Sequence, residues 1–404
     1  MRILSVTAQK PDSTGSGVFL TELVKGFSAQ NCRQAVVCGA VSGDPLGFPS
    51  EVDLFPVYYQ SEVLPFPVCG MSDEMPYVST RYRDMDEEMT RQFRTAFESK
   101  LTEAVESFRP DIILCHHLYF MASLVRQMYP NIPVYGQCHG SDLRQLETNP
   151  WQRDWIKTQI PKLDGIFALH DAQKQHICEI FKLPETQVQV MGTGYNSSVF
   201  FQDREYTRNP EKIRYLFAGK LSEKKGVYSL LRSLNHLPYP ERTELYLAGG
   251  CGSDEELKHL QDMTQGLPCP VTFLGKLDQN ALAQHMNRCD IFVLPSFYEG
   301  LPLVLIEAMA CGMRTICTDL PGIQLWLNQA IPDNGAVFVA PPTFRNADEP
   351  VEEDLPDFEQ RLAAAMEEAP RHLLPDQSLI RRLSWDALCR KLLAIFTTKE
   401  ETPC

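Results

Sequence analysis

The sequence lacks the features that would place the protein in a membrane, on a nucleic acid or in a secretory route. No stretch approaches the roughly 20 apolar residues of a membrane span, and the apolar run at Met1–Val6 is too short for a signal peptide. Positive charge is in deficit. The formal net charge of -14 disfavours nucleic acid and anionic membrane surfaces as main partners. We therefore expect a cytoplasmic protein with no transmembrane segment and no nucleic-acid partner.

Paired cysteines are also absent, although the chain contains 13 cysteines. None has the Cys-x-x-Cys spacing of zinc or redox sites, and their number is odd. Several stand inside apolar runs (Cys38, Cys115, Cys138 and Cys317), where a free thiol behaves as a small hydrophobic residue. This pattern favours a reducing compartment and predicts neither a disulfide framework nor a metal site.

What the sequence does contain is a repeated alternation of short β-branched runs with helix-patterned segments, which predicts parallel α/β architecture. The first series of strands runs from Arg2–Thr7 to Val188–Met191, and the second from Ile213–Phe217 to Val337–Ala340. Between them, Phe201–Glu211 is polar and has no periodicity. We predict two Rossmann-like, doubly wound domains at residues 1–200 and 212–375, a linker at 201–211 and a final helical segment at 376–404.

A charged loop bounded by glycines follows the strand that opens the second half. Gly219 and Gly226 enclose Lys220 and Lys225, which are five residues apart. A loop between a strand and the next helix lies at the carboxyl edge of an open α/β sheet, where ligands bind. Two cations near a helix N-terminus there suit a diphosphate. A solvated, charged turn would also explain this segment.

A buried helix with a single carboxylate is predicted in the same half. Pro302 fits its first turn and Gly312 its end, and Val304–Cys311 is apolar except for Glu307. An unpaired carboxylate in such a helix would cost several kcal/mol, so Glu307 needs hydrogen-bond donors. Ribose hydroxyls of a ligand would serve, and so would an internal backbone or side-chain partner. Glu299 precedes the helix, in the loop at the predicted cleft.

Two segments of the first half are weaker candidates. His139 follows a strand and precedes a glycine, which makes it a candidate sugar contact, although an isolated histidine is more often structural. Ser141 or Asp142 fits the cap of the next helix. Thr14–Gly17 opens a helix but lacks the full G-x-G-x-x-G fingerprint, because Leu20 stands in the place of the third glycine. A tight turn alone would also explain it.

Taken together, these segments resemble the group-1, family-4 retaining glycosyltransferases of the GT-B fold. In the second half FAGKLSEKKG, LYLAGG, VTFLGKL and CDIFVLPSFYEGLPLVLIEAMACGMRTICTD follow in the family's order and spacing. In the first half PDIILCHH and CHGSDLRQ are similar, and the terminal SWDALCRKLLAIF is similar to the helix that crosses back to the first domain. The resemblance implies two Rossmann-like domains facing a cleft, with an N-terminal acceptor side and a C-terminal nucleotide-sugar side.

The resemblance also implies a donor site. Lys220 and Lys225 would hold the diphosphate, Glu307 the ribose hydroxyls, and Gly17 would let the backbone approach the phosphates. Gly275, with the residue after it, would lie against the base through its main chain. The family usually has arginine where Lys220 stands, so one bidentate contact is lost while the charge remains.

The predicted catalytic positions follow from the same resemblance. Glu299, with the amides near Leu301 and Leu303, would hold the sugar, and His139 would contact it at the reaction centre. With two lysines and a helix N-terminus at the diphosphate, we expect neither a divalent metal nor any other cofactor. A second departure from the family is Pro321–Leu325, which replaces a glycine-rich turn followed by glutamate and affects contacts on the far side of the donor.

A long segment without periodicity, Pro65–Arg83, belongs to the half that faces the acceptor in this fold. Stretches of this length inside compact domains are usually functional or disordered, and this one is too rich in aromatic residues for a plain flexible linker. It offers Tyr77, Arg81 and Tyr82, and we predict Tyr77 and Arg81 as acceptor contacts. The alternative is a surface loop packed by its own side chains.

We therefore expect transfer of a sugar, with retention at the anomeric carbon, from a nucleotide sugar to a small-molecule, glycan or lipid-linked acceptor. A UDP-sugar is the favoured donor. A sugar-nucleotide epimerase on the same fold and a non-catalytic sugar-nucleotide-binding subunit are the alternatives. Donor consumption without an acceptor would favour the epimerase, and binding without turnover the subunit. A glycoside hydrolase also uses two carboxylates but has no need of the paired lysines.

Overall fold

The structure is a computed structural model that describes the chain except for residues 12–13, 73–74, 207–208, 210, 346–348 and 401–404. Parts of two predicted segments therefore lie outside the described residues: Thr207, Arg208 and Pro210 of the linker, and Asp73 and Glu74 of Pro65–Arg83. The chain forms two compact units. The first unit is Met1–Gly194 with Trp385–Cys404, and the second unit is Tyr195–Ser384. In the part of the chain that is described, no helix has the length and apolar character to cross a membrane.

The first unit alternates strands with helices. Its strands are β1 (Arg2–Val6), β2 (Arg33–Val41), β3 (Asp53–Tyr59), β4 (Cys69–Gly70), β5 (Thr80–Arg81), β6 (Ile112–His116), β7 (Val134–Gln137), β8 (Gly165–Ala168) and β9 (Val188–Val190). Its helices before the chain leaves it are α1 (Gly15–Ala29), α2 (Glu87–Phe108), α3 (Phe120–Met128), α4 (Ser141–Thr148), α5 (Arg153–Gln159) and α6 (Asp171–Phe181). Seven of the strands form one parallel sheet in the order β3-β2-β1-β6-β7-β8-β9, and β4 pairs with β5.

The core of the first unit forms because its central strands are apolar along both faces, as strands covered by helices on both sides must be. All five residues of β6 are buried, for example. On α2 one stripe of apolar residues is completely buried against the sheet: Phe93, Phe97, Leu101, Ala104 and Phe108. Asp86 caps this helix by accepting a 2.7 Å hydrogen bond from the Met89 amide. The helix stops at Arg109, which has a left-handed backbone (φ 52°).

The second unit repeats the plan. Its strands are β10 (Ile213–Ala218), β11 (Thr243–Ala248), β12 (Val271–Gly275), β13 (Ile291–Leu294), β14 (Arg314–Thr318) and β15 (Val337–Val339). Its helices are α7 (Val227–Ser233), α8 (Asp254–Met263), α9 (Gln279–Arg288), α10 (Leu303–Ala310), α11 (Ile323–Ala330), α12 (Leu355–Glu368) and α13 (Gln377–Ile380). The sheet is parallel, in the order β12-β11-β10-β13-β14-β15.

In both sheets the strand order reverses beside the first strand. β1 lies between β2 and β6, and β10 lies between β11 and β13. Since crossover connections in parallel sheets are right-handed, the chain leaves each such pair of strands toward opposite faces, and a crevice opens at the carboxyl edge between them. The predicted doubly wound, Rossmann-like architecture of both halves is thereby confirmed.

The last helix, α14 (Trp385–Glu400), belongs to the first unit. It packs on α1 where Gly26 leaves room, since a Cβ at Gly26 would lie 2.5 Å from Cys389 Sγ. Lys391 Nζ donates a 3.0 Å hydrogen bond to the Val190 carbonyl. The predicted crossover helix at the C-terminal end is thus confirmed.

Candidate functional site

The loops that follow β10 and β13 lie side by side, because these strands are neighbours in the second unit's sheet. The first loop contains a 3-10 turn, Glu223–Lys225. The Phe297 amide, in the second loop, donates a 2.9 Å hydrogen bond to the Lys224 carbonyl. Gly226 (φ 69°) passes so close that a Cβ there would lie 2.0 Å from the Pro295 carbonyl oxygen. The two loops therefore form one wall at the carboxyl edge, where the strand order reverses.

The loops after β11 and β12 extend this edge. The Gly249 amide donates a 2.8 Å hydrogen bond to the Gly275 carbonyl, and the Leu221 amide donates one of 3.0 Å to the Gly250 carbonyl. Gly249 has no room for a side chain, since its Cβ would lie 1.7 Å from the Gly219 carbonyl oxygen. Gly275, predicted to face the base, thus lies on the same edge as the lysine-bearing loop.

Lys225 and Glu299 form an ion pair between the first two loops. The Lys225 Nζ lies 2.6 Å from Glu299 Oε1, and the two side chains are 31% and 14% exposed. A pair this accessible to water contributes at most about 1 kcal/mol to stability, so stability alone gives little reason for it. Burial raises the pKa of the Cys317 thiol at the end of β14, and the negative charges of Glu299 and Asp319 raise it further. The Glu299 carboxylate, carried by the β13 loop, is therefore close enough to the carboxyl end of β14 to affect this thiol.

Lys220 extends toward a different neighbour, the loop after β11. Its Nζ lies 3.8 Å from the position that a Cβ would take at Gly252. Burial raises the pKa of the Cys251 thiol and the Glu256 charge adds to this rise, while the Lys220 charge opposes it. The loop after β10 therefore presents one cation beside the β11 loop and another beside the β13 loop.

Glu307 lies on α10, the helix that starts where the ion-pair loop ends. Pro302 occupies the cap position rather than the predicted first turn, and Gly312 (φ 75°) follows the helix end as predicted. Leu301 is buried and Leu303 is the first helical residue, so their amides lie at the electropositive end of the helix. Glu307 is only 9% exposed and its helical neighbours are buried, so its carboxylate is carried by a rigid segment of the core.

His139, after β7, belongs to a cluster of three histidines in the first unit. Its Nε2 lies 3.2 Å from His116 Nδ1, and its ring centroid lies 4.7 Å from that of His117. Burial lowers the pKa of all three rings, that of His116 to about 3, and in His139 the neighbouring His117 and His116 lower it further. His139 is therefore a neutral imidazole at physiological pH, and its Nε2 is hydrogen-bonded to His116.

The main chain of His139 is fixed by Asp142, whose carboxylate is completely buried. It accepts a 2.7 Å hydrogen bond from the Leu118 amide and one of 3.2 Å from the His139 amide. The expectation that Ser141 or Asp142 caps the next helix is wrong. α4 begins at Ser141 with Gly140 (φ 92°) in the cap position and no capping side chain. The carboxylate instead joins the loops after β6 and β7.

Thr14–Gly17 opens α1, as predicted, and connects to the same cluster. Thr14 Oγ1 accepts a 3.1 Å hydrogen bond from the Gly17 amide. The Ser16 hydroxyl donates to Gln9 Oε1 at 3.3 Å, and Gln9 Oε1 lies 3.1 Å from His117 Nε2. A polar chain thus runs from the glycine-rich turn to the histidines within the first unit.

Sequence reasoning missed Gln9, His116 and His117. The available signal was a pair of histidines at the end of an apolar strand, β6, which flanks the reversal of strand order. These three residues and Tyr119, among others, line a narrow crevice. Gln9 Nε2, His116 Nε2, His117 Nδ1 and the Tyr119 hydroxyl are buried and have no hydrogen-bond partner among the described residues. Buried polar atoms in this state ordinarily bind water or a ligand.

The segment Pro65–Arg83 contributes several side chains to the core of the first unit. Tyr82 is 1% exposed and lines the crevice just described. Tyr77 is partly buried, and Lys10 Nζ lies 5.4 Å from the centroid of its ring. Arg81 is exposed and forms a 2.6 Å ion pair with Asp84. Of the two predicted acceptor residues, Arg81 is the one that stands out into solvent.

The structure thus brings most of the predicted site residues to the carboxyl edge of the second unit's sheet or to the helix that starts there: Lys220, Lys225, Gly275, Glu299, Leu301, Leu303 and Glu307. Gly17 and His139 lie in the first unit, on α1 and after β7. Tyr77 and Arg81 also belong to the first unit.

Comparison with known proteins extends over both units. Residues 13–199 match the family described as Glycosyltransferase Family 4, and residues 199–353 match Glycosyl transferases group 1. An uncharacterized glycosyltransferase of Methanocaldococcus jannaschii is 24% identical over 258 residues, which cover 52% of this chain and 65% of that protein. The chain therefore spans less than two thirds of the length of this relative.

Solved structures share the fold over nearly the full chain. Sucrose-phosphate synthase from Thermosynechococcus elongatus has a TM-score of 0.69 at 16% identity and covers 99% of both chains. HepE of Anabaena, solved in complex with UDP-glucose, has a TM-score of 0.64 at 14% identity and covers 98% of this chain and 100% of its own. Two doubly wound parallel sheets, two family matches in sequence and this shared fold agree: the chain belongs to the group-1 glycosyltransferases and has the GT-B fold.

Proposed function

We propose that this protein transfers a sugar from a nucleotide sugar, a UDP-sugar by preference, to a hydroxyl-bearing acceptor, with retention and without a divalent metal. The observation that carries the proposal is the Lys225–Glu299 ion pair at the reversal point of the second unit's sheet. It holds a cation for the diphosphate and a carboxylate for the sugar 2.6 Å apart. The preference for UDP is supported by HepE, which binds UDP-glucose.

The proposed reaction breaks the bond between the anomeric carbon and the diphosphate oxygen, and that oxygen leaves with the electron pair. The acceptor oxygen forms the new bond to the anomeric carbon, and its proton passes to the departing phosphate. Negative charge therefore develops on the diphosphate, where Lys220, Lys225 and the amino end of α10 would stabilise it. Because these fixed positive groups are already in place, the proposal needs no metal ion.

His139 and Glu299 would contact the sugar, each in a different protonation state. Burial keeps the pKa of His139 well below its ordinary value, so its neutral ring donates or accepts one hydrogen bond to a sugar hydroxyl without adding charge. Glu299 would accept hydrogen bonds from other hydroxyls. Glu307 would accept hydrogen bonds from the ribose, and Gly275 would present its main chain to the base.

In this proposal the acceptor side is the predicted domain 1–200 with the returning helix, and the donor side is the predicted domain 212–375. Tyr77 and Arg81 would contact the acceptor, and Gly17 would let the main chain approach the donor phosphates. A cytoplasmic location is part of the proposal. It is supported by the described cysteines, all of which are free thiols and most of which are buried.

The reaction is tested by incubating the protein with a panel of UDP-sugars and hydroxyl acceptors, and by determining the anomeric configuration of the product by NMR. We expect an unchanged transfer rate in excess EDTA, because lysines rather than a metal neutralise the diphosphate. Loss of transfer in EDTA that magnesium or manganese restores would overturn metal independence. Donor consumption at a rate that does not depend on the acceptor would overturn the proposed transfer reaction.

Arg81→Ala is expected to raise the acceptor's Michaelis constant and to leave donor affinity and slow donor hydrolysis unchanged. The matched control is Arg91→Ala on α2. Arg91 is also exposed to solvent, at 73% against 48% for Arg81, and it too pairs with an acidic residue three positions away, Glu88. Steady-state kinetics with both substrates separate the two constants. Equal losses for donor and acceptor, or the same result for both variants, would contradict an acceptor role for Arg81.

A further inference from the structure

The second unit contains a pocket that none of the proposed donor contacts line. It has a volume of about 450 Å³, is open to solvent, and is formed mainly by the segments Tyr195–Arg204 and Gln377–Arg381. Ala310, the last residue of α10, also lines it. Because α10 starts at the carboxyl edge of the sheet and runs back beside it, this pocket lies toward the opposite edge. It is therefore distinct from the lysine-bearing loop.

The pocket gathers positive charge in a chain whose net charge is -14. Arg204 and Arg381 both line it, and neither guanidinium makes a hydrogen bond or ion pair with a described residue. None of the described residues that line the pocket is acidic. Asp203 and Glu205 flank Arg204 in sequence but do not line the pocket. Asp376 is close enough to Arg381 for the Arg381 charge to affect its pKa. Asp376 accepts a 2.8 Å hydrogen bond from the Ser378 amide, and that bond, more than Arg381, lowers its pKa.

Neutral hydrogen-bond donors surround the two arginines. Burial raises the pKa of Tyr195 to about 12 while the Arg381 charge opposes the rise, so this phenol remains a donor close to the guanidinium. The Ser197 hydroxyl and the Gln202 amide also line the pocket. Gln377 Nε2 already donates a 2.8 Å hydrogen bond to the Met309 carbonyl, which satisfies a carbonyl at the end of α10 that would otherwise repel an anion.

We propose that this pocket binds a small molecule that carries a phosphoryl group, held by Arg204 and Arg381. A phosphoryl group has three oxygens, so it accepts from two guanidinium groups and a phenol together, whereas a carboxylate has only two oxygens to offer. Phe201, which is 56% exposed at the pocket wall, offers an apolar surface for the rest of the molecule. The proposal does not depend on the identity of the sugar donor.

A ligand in this pocket would connect two chain segments and would also contact the end of α10. The Tyr195 amide donates a 3.2 Å hydrogen bond to the Leu383 carbonyl, so the segments by which the chain enters and leaves the second unit run side by side here. Arg204 belongs to the entering segment and Arg381 to the leaving one, and a shared anion ties them together. The pocket also touches the end of the helix that carries Glu307, and its eight residues span roughly 12 Å.

The test is titration of the full-length protein with inorganic phosphate, followed by ³¹P NMR and isothermal titration calorimetry. Since the lysine-bearing loop is also expected to hold phosphate, the titration is run on Lys225→Ala as well as on the wild type. We expect binding that persists in Lys225→Ala and weakens at least about ten-fold when Arg204→Ala or Arg381→Ala is added. Arg382→Ala removes a charge beside the pocket and should leave phosphate binding unchanged.

Three results would overturn the proposal: no phosphate binding beyond that lost in Lys225→Ala, equal weakening by Arg382→Ala, or no weakening by either pocket variant. Both pocket arginines are exposed, so their variants are expected to keep the wild-type melting temperature. The source of the phosphoryl group is resolved by comparing glycerol phosphate with vesicles that contain phosphatidic acid. We expect glycerol phosphate to bind through the two arginines. Vesicle binding that requires them, with no binding of glycerol phosphate, would overturn the assignment to a small molecule.

Discussion

Lys225→Glu is expected to lower kcat/KM for sugar transfer by at least about a hundred-fold. Removing a charge-assisted contact costs roughly 1.5–3 kcal/mol, and the reversed charge adds repulsion toward the diphosphate. The new carboxylate would also face Glu299, whose Oε1 lies 2.6 Å from the present Nζ. Both partners of the ion pair are then displaced, so donor binding and the chemical step should suffer together. Steady-state kinetics with the preferred UDP-sugar measure the loss.

Lys224→Glu is the matched control, because it makes the same charge change in the same 3-10 turn. The Lys224 carbonyl accepts the Phe297 amide, and that main-chain bond does not depend on the side chain. We expect this variant to keep most of its activity and both variants to keep the wild-type circular dichroism spectrum. A larger loss of activity in Lys224→Glu than in Lys225→Glu would show that the assignment of the diphosphate to Lys225 is wrong.

Most of the sheet could be predicted from the sequence, because strands buried on both faces are short and almost continuously apolar. The predicted Ile213–Phe217 strand, for instance, is observed as β10 with one further residue, Ala218. β3 (Asp53–Tyr59) was missed. It contains Pro56, which argues against a central strand, but β3 lies at the edge of the sheet, where the missing amide costs little. Edge position is a property of the fold that local sequence does not encode.

The two halves of the candidate site differ in how far the sequence predicts them. On the donor side, a lysine-bearing loop and a lone glutamate in an apolar helix are local signals, and both segments are where the sequence places them. The histidine cluster depends on contacts between separate strands. His116 and His139 are 23 residues apart and meet because β6 and β7 are neighbours. Asp142 was misassigned for the same reason, since a carboxylate before a helix has the local pattern of a cap.

Glu307→Gln is expected to weaken donor binding roughly 10- to 150-fold while leaving the fold intact. The substitution keeps the size of a side chain that is 9% exposed on a buried helix, so packing should be preserved. It replaces a charged acceptor by a neutral one, and a hydrogen bond to a charged group is worth about 1.5–3 kcal/mol. Calorimetric titration with UDP measures the affinity, and the melting temperature reports on the fold.

Glu359→Gln serves as the control, since Glu359 is also a buried glutamate of the second unit, at 6% exposure. It pairs with Arg232 on α7 at 3.2 Å rather than standing near the lysine-bearing loop. Removing that charge should lower the melting temperature by a small amount and leave UDP affinity unchanged. We thus expect Glu307→Gln to lower UDP affinity without lowering the melting temperature, and Glu359→Gln to do the reverse. If Glu307→Gln instead loses stability and binds UDP as tightly as the wild type, Glu307 is an internal hydrogen-bond partner and the ribose must be held by another residue.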